Sequence, residues 1–220
     1  MNLTTTCRDI NELNPLVRTM LELALEDIRK QEVNPLVVET FRSQERQNYL
    51  YCQGRTKTEC TAKGINKSFA EKHCNPKANP VTKTLNSIHK NRKAVDVVPQ
   101  RLVNGRMTAI WDAKDKDTQI IITTMQKYGF EAGANWTSFP DSPHFQCTGS
   151  FDNVFERGNN NIYITKAIQQ ALNSKIKAGL VVDGKWGPAT DQAVSEFRKR
   201  MKYKSHKPMI GAAAFKDLFS

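Results

Sequence analysis

Apolar positions along this chain change their period from segment to segment. Leu13, Leu16, Val17, Met20, Leu23, Leu25 and Ile28 recur close to every 3.6 residues, which predicts a helix over 11–30 with one buried face. Asn34-Pro35 ends it. Leu36-Val37-Val38 is a short β-prone run, and a second helix is predicted over Gln44–Cys52. Residues 53–86 are polar and rich in Lys, Thr, Asn and Gly, so a long loop is expected there. Ala94-Val95-Asp96-Val97-Val98 predicts a strand ended by Pro99. A helix is expected from Trp111 to Tyr128, a loop over Gly129–Ser142, and a last strand at His144-Phe145. Short strands mixed with helices predict an α+β domain with a small mixed sheet over residues 1–152.

The pattern then changes. Residues 153–161, with the run Gly158-Asn159-Asn160-Asn161, read as a linker. Three helices are predicted beyond it. The first covers 163–178, with Ile164, Ile168, Leu172 and Ile176 on one face. The second covers 189–202, with Ala193, Phe197 and Met201 inward, and the third lies near 211–219. Residues 162–220 are therefore expected to form a small all-α three-helix bundle domain.

Composition narrows the class. Of 220 residues, 39% are hydrophobic and 25% charged, which is a folded-protein mix and excludes whole-chain disorder. No apolar run approaches the roughly 20 residues needed to span a bilayer. The start, MNLTTTCRDINELNP, lacks a basic region followed by an apolar core and does not read as a signal peptide. The expectation is synthesis in a cytoplasm, with any target outside the membrane reached after another agent permeabilises it.

The charge of +11 is uneven: residues 1–156 carry a net +3 and residues 157–220 a net +8. A module this basic attracts polyanions, among them nucleic acid, anionic lipid and anionic cell-wall polymers. The helices carry no recognised nucleic-acid motif, so nucleic acid is not expected as a partner.

Cys7, Cys52, Cys60, Cys74 and Cys147 are odd in number and include no C-x-x-C pair, which argues against a disulfide framework and a zinc ribbon. Free thiols are the simpler reading, with one bridge inside 52–74 left open. Cys60, His73 and Cys74 could hold a separate metal, although their spacing fits no zinc pattern.

A catalytic zinc needs three protein ligands and one open position. The chain has four histidines, and two stand near an acid: His89 seven residues before Asp96, and His144 three residues after Asp141. Such spacings arise by chance, so the surrounding strings matter more. Ser87-Ile88-His89-Lys90-Asn91-Arg92-Lys93-Ala94-Val95-Asp96 resembles the S-x-H-x-x-G-x-A-x-D motif of zinc peptidases that cleave peptidoglycan peptides. That family includes D-alanyl-D-alanine carboxypeptidases and L-alanyl-D-glutamate endopeptidases. Gly133-Ala134-Asn135-Trp136, with Asp141-Ser142-Pro143-His144-Phe145, is similar to the G-x-x-W…D-x-P-H-F form of phage endolysins of L-alanyl-D-glutamate type. Tyr51-Cys52-Gln53-Gly54-Arg55-Thr56 resembles the Y-A-Q-G-R-T of that branch, and Phe41-Arg42-Ser43 falls where the family carries its substrate-binding arginine.

The resemblance implies roles. His89, Asp96 and His144 would hold Zn2+. Asp141 would move the proton between water and the leaving amine. Arg42 would clamp a substrate carboxylate, Ser87 would assist or simply bond the backbone, and Gln53 and Trp136 would face substrate. Two departures stand out: Arg92 replaces the family's Gly, and the segment 57–82 looks longer than in close relatives and is expected to shape substrate access.

The turn Asp183-Gly184-Lys185-Trp186-Gly187-Pro188, with Thr190, Ala193-Val194 and Phe197, resembles the three-helix peptidoglycan-binding domain. Trp186 would stack on a glycan or fill the small core. Together the two resemblances imply a monomeric phage-type endolysin: a zinc endopeptidase for the L-alanyl-D-glutamate bond, joined to a wall-binding module, causing bacterial lysis. The alternatives are a D-alanyl-D-alanine carboxypeptidase and a non-catalytic peptidoglycan-binding protein.

Overall fold

Asn14 caps the first helix by accepting from the Leu16 and Val17 amides, and Pro15 stands at its first turn. Helix α1 therefore runs Pro15–Lys30 and buries Leu16, Val17, Met20, Leu21, Ala24, Leu25 and Ile28. Its predicted first turn is a separate 3-10 turn, Ile10–Glu12, capped by Asp9. The computed structural model describes residues 3–159 and 161–220.

The sheet is built from β1 (Pro35–Glu39), β2 (Ala94–Val103), β3 (Arg106–Ala109), β4 (Glu131–Ala132) and β5 (His144–Gln146). Its order is β1-β2-β5-β4, with β3 pairing the distal part of β2, and all pairs are antiparallel. Alternation along β2 and β5 sends Val95, Val97 and Phe145 into the apolar core. Asp96 and His144 sit opposite each other in register and face the other side.

Pro99 does not end β2. It lies opposite Pro35, so a residue without an N–H faces another without one. The strand continues into a hairpin whose turn, Asn104-Gly105, has φ of 51° and 76°, the left-handed pair that a tight hairpin demands. Helix α5 spans Lys116–Lys127 and starts at the Asp115 cap rather than at Trp111, which is exposed.

The expected loop over 53–86 contains two short helices. After α2 (Gln44–Cys52) come α3 (Lys57–Ala62), held by a Thr56/Glu59 capping box, and α4 (Lys67–His73), capped by Asn66. A small apolar cluster separate from the main core (Tyr51, Cys52, Cys60, Ile65 and Ala70) holds this lobe.

The C-terminal part comprises β6 (Val154–Glu156), α6 (Ile162–Ile176), α7 (Pro188–Arg200), β7 (Met209–Gly211) and α8 (Ala212–Phe219). Strand β6 lies inside the stretch read as a linker and pairs with β7; Asn160 of that stretch lies outside the described residues. The stretch expected to form a three-helix bundle holds three helices and one strand, β7, which forms a two-stranded ribbon with β6. Met201 is half-exposed instead of inward. Helix α8 packs on α1, and Tyr128 meets Phe219 at 5.1 Å between ring centres. One apolar core includes Met20, Ile121 and Phe145 together with Ile168, Phe197 and Phe215. No helix among the described residues is long and apolar enough to cross a membrane.

Candidate metal centre and active-site cleft

Ser87 accepts the His89 amide at 3.3 Å and caps the 3-10 turn Ile88–Asn91 that carries His89. This is the backbone-bonding alternative for Ser87, and the residue also borders the cleft. The turn aims a fully buried His89 at the β2–β5 pair. His89 Nδ1 lies 2.6 Å from the Thr40 carbonyl oxygen, and its Nε2 is 3.1 Å from Asp96 Oδ1 and 3.2 Å from His144 Nδ1. His144 Nδ1 is 3.1 Å from the same Asp96 oxygen, while its Nε2 lies 3.2 Å from Gln146 Oε1.

These partners fix the tautomers. A carbonyl can only accept, so His89 Nδ1 carries the proton and Nε2 presents a lone pair. The Gln146 amide nitrogen donates to Glu131 at 2.9 Å, so its oxygen faces His144 and accepts from Nε2–H. His144 Nδ1 then also presents a lone pair. Two lone pairs and a carboxylate oxygen converge at 3.1–3.2 Å, an arrangement that requires a proton or a cation among them. Two nitrogens bound tetrahedrally to zinc at about 2.0–2.1 Å would be about 3.3 Å apart. The donor set fits a divalent metal, and the three residues form a group able to hold one. The contacts to Thr40 and Gln146 are of the kind that would orient both imidazoles toward a bound metal.

Charge in the cluster is shared. Burial alone would raise the Asp96 carboxyl, but His89 and His144 beside it hold it well below the usual carboxylate range. Burial opposes charge on His144, yet its bonds to Asp96 win and push its pKa above the ordinary imidazole value. Asp141 borders the same cleft, and burial followed by the nearby Asp96 carboxylate raises its pKa.

Asp141 and His144 share one turn. The Asp141 amide donates to Gly133 O at 3.0 Å, and the His144 amide donates to Asp141 O at 3.2 Å. A Cβ on Gly133 would stand 2.7 Å from Asp141 O and 3.2 Å from His144 Cβ, so glycine there permits the close approach. Trp136 borders the cleft and donates to Glu131 at 2.7 Å, with its ring 5.2 Å from that of His144. It extends the chain His144–Gln146–Glu131.

Arg42 also faces the cleft, tied in place by its neighbours. Its Nε donates to Glu39 at 3.1 Å and its Nη1 to Gln47 at 3.0 Å, and one Nη2 bond reaches Glu39 at 2.5 Å. Glu39, opposite Asp96 at a bulge in β1, also binds Arg46 at 2.5 Å. Arg42 Nη2 stands 3.7 Å from Asp96 Oδ2.

Two sequence candidates lie elsewhere. Gln53 is not among the residues that border the cleft; its side-chain amide donates to Tyr49 O and His73 O inside the 53–86 lobe. Trp186 donates to Asp191 at 2.6 Å and packs 5.6 Å from Phe155 in the C-terminal part. Arg92 has φ of 59°, the left-handed conformation that suits glycine. Its side chain turns to Glu12 and the Phe41 ring, so its charge leaves the ligand atoms alone. Sequence reasoning passed over Glu39, Arg46, Gln47, Glu131 and Gln146. Only Gln146, two residues from His144 on the same strand face, carried a readable signal.

The cleft has a volume of about 380 Å3 and runs between the ligand cluster and a wall that includes Val81, Thr82, Lys83 and Phe139. Residues 80–147 match the family model of D-alanyl-D-alanine carboxypeptidases. That segment contains His89, Asp96, His144 and Asp141. Among solved structures, the chain is similar to the Serratia marcescens L-Ala D-Glu endopeptidase ChiX, with 25% identity over 65% of this chain and 88% of that one, at a TM-score of 0.40. It is also similar to the LD-carboxypeptidase LdcB, with 17% identity over 59% of this chain and 56% of that one, at a TM-score of 0.36.

Proposed function

We propose that this protein is a zinc-dependent peptidase that hydrolyses the L-alanyl-D-glutamate bond of peptidoglycan stem peptides and serves as a phage-type endolysin. The observation that carries the reading is the convergence of His89 Nε2, Asp96 Oδ1 and His144 Nδ1 inside the segment matched by the family model. The choice of bond rests on the strings at 51–56 and 133–145. The matched family's own description favours a second reading, removal of a terminal D-alanine.

When bound, zinc supplies positive charge that polarises a carbonyl and makes water easier to deprotonate. The rest falls to the chain's own groups. Asp141 accepts the proton of the attacking water and passes it to the leaving amine. Arg42 has five N–H groups, of which Glu39 and Gln47 engage three, leaving two for a substrate carboxylate. Thr40 and Gln146 keep both imidazoles in the ligating tautomer. The basic C-terminal part holds the chain on an anionic wall, raising the local concentration of stem peptides. The protein acts as a monomer, after the host membrane has been permeabilised.

The test is Asp141→Ala measured with its zinc content. Lysis lost with zinc retained is the expected result. Lysis retained with zinc removed by a chelator would make the cluster structural and would overturn the proposal.

A further inference from the structure

A second group of ligand atoms lies outside the cleft. Cys52 at the end of α2, Cys60 in α3 and Cys74 at the cap of α4 bring their sulfurs within 4.8 Å of one another. Cys52 and Cys60 are fully buried and Cys74 is partly so. His73 is absent from the group and rests against Phe69 and Tyr49 at 4.4 and 5.8 Å between ring centres. The sequence thus pointed to Cys60 and Cys74 but missed Cys52, which the fold of α2 supplies.

We propose that Cys52, Cys60 and Cys74 form a second, structural site for a soft divalent cation, zinc foremost, that fastens the 53–86 lobe. Three thiolates around zinc at about 2.3 Å lie about 3.8 Å apart, a separation compatible with sulfurs that all lie within 4.8 Å of one another. The lobe needs such a link. Its apolar cluster is limited to a few side chains, and α3 and α4 have 6 and 7 residues, too short to be stable alone. A disulfide would join two of the three elements and strand the third sulfur, whereas a metal uses all three.

The surroundings favour the metal as well. Three thiolates and a divalent cation sum to one negative charge. Residues 53–86 hold seven Lys or Arg against two acidic residues, a surrounding that suits an anionic cluster.

The site would also set the cleft wall. Arg55, beside Cys52, donates to Tyr51 O at 2.6 Å and Thr82 O at 2.8 Å, and Thr82 borders the cleft. Lys83 reaches over Phe139 at 4.3 Å from the other side.

The full chain, purified with reductant and zinc, is measured for metal per chain and then reloaded with cobalt. Two metals per chain are expected, with a sulfur-to-cobalt charge-transfer band in the near ultraviolet. Cys60→Ser lowers the count to one and removes the band. A His89→Ala/His144→Ala chain also keeps one metal but retains the band, which separates this site from the cleft. Failure of the band in the unmodified chain overturns the proposal, and this reading does not depend on whether any variant folds. An intact mass two hydrogens lighter, with a bridge mapped among these cysteines, overturns it equally.

Discussion

Gly133→Ala tests whether the turn carrying Asp141 and His144 is held at contact distance. The added Cβ would meet Asp141 O at 2.7 Å, while ordinary contact begins near 3.4 Å, so the turn must retreat by about 0.7 Å. The opposing atom is backbone, so no side-chain rotation relieves it, and overpacking of this kind costs roughly 1–3 kcal/mol. The kinetic effect should be of similar size. Displacing a reacting group by about 1 Å costs on the order of 10²-fold, and both His144 and Asp141, the proposed metal ligand and proton-transfer group, ride on this turn. We expect turnover of soluble peptidoglycan fragments to fall about 30- to 100-fold at saturating zinc, with a modest drop in melting temperature. Gly187→Ala is the control, because its methyl meets nothing within 4 Å. Full turnover with unchanged zinc affinity in Gly133→Ala would refute the geometric argument.

Other perturbations follow from the same geometry. Glu39→Ala leaves Arg42 and Arg46 without their shared buried partner and should cost about 3–5 kcal/mol in denaturant unfolding; a loss below about 1 kcal/mol would contradict the network. Arg92→Gly relieves a left-handed arginine but loses a half-exposed pair with Glu12. Stability should stay within about 1 kcal/mol and zinc affinity should not change, whereas a tenfold change in affinity would place Arg92 at the metal. Zinc binding should weaken as pH falls, beginning above the ordinary imidazole pKa, because Asp96 favours the proton on His144 that the metal must displace. Calorimetry in buffers of different ionisation enthalpy would show proton release on binding, and affinity independent of pH between 5 and 8 would count against it.

The clustering of His89, Asp96 and His144 was legible because each sits in a short, ordered string, and strand alternation puts two of them on one face. Their supports were not. Glu39, Gln47 and Glu131 look like ordinary surface polar residues until a bulge in β1 and the pairing of β4 with β5 bring them under the site. Gln53 shows the opposite failure: it stands in a resembling string, yet α2 directs its amide into the lobe. Composition made 53–86 look like loop, although Thr56…Glu59 was a readable capping box. Asn104-Gly105 was likewise a readable hairpin turn, masked by the assumption that Pro99 ends its strand. The linker reading at 153–161 followed glycine and asparagine content, which carries no trace of the pairing between β6 and β7 far along the chain.

The central claim is tested most directly by digesting purified peptidoglycan with and without a chelator and reading the new termini by mass spectrometry. New N-terminal D-glutamate, abolished by chelation and restored by zinc, is the expected result. Release of D-alanine instead would contradict the choice of bond, and the absence of any metal-dependent cleavage would contradict the enzyme.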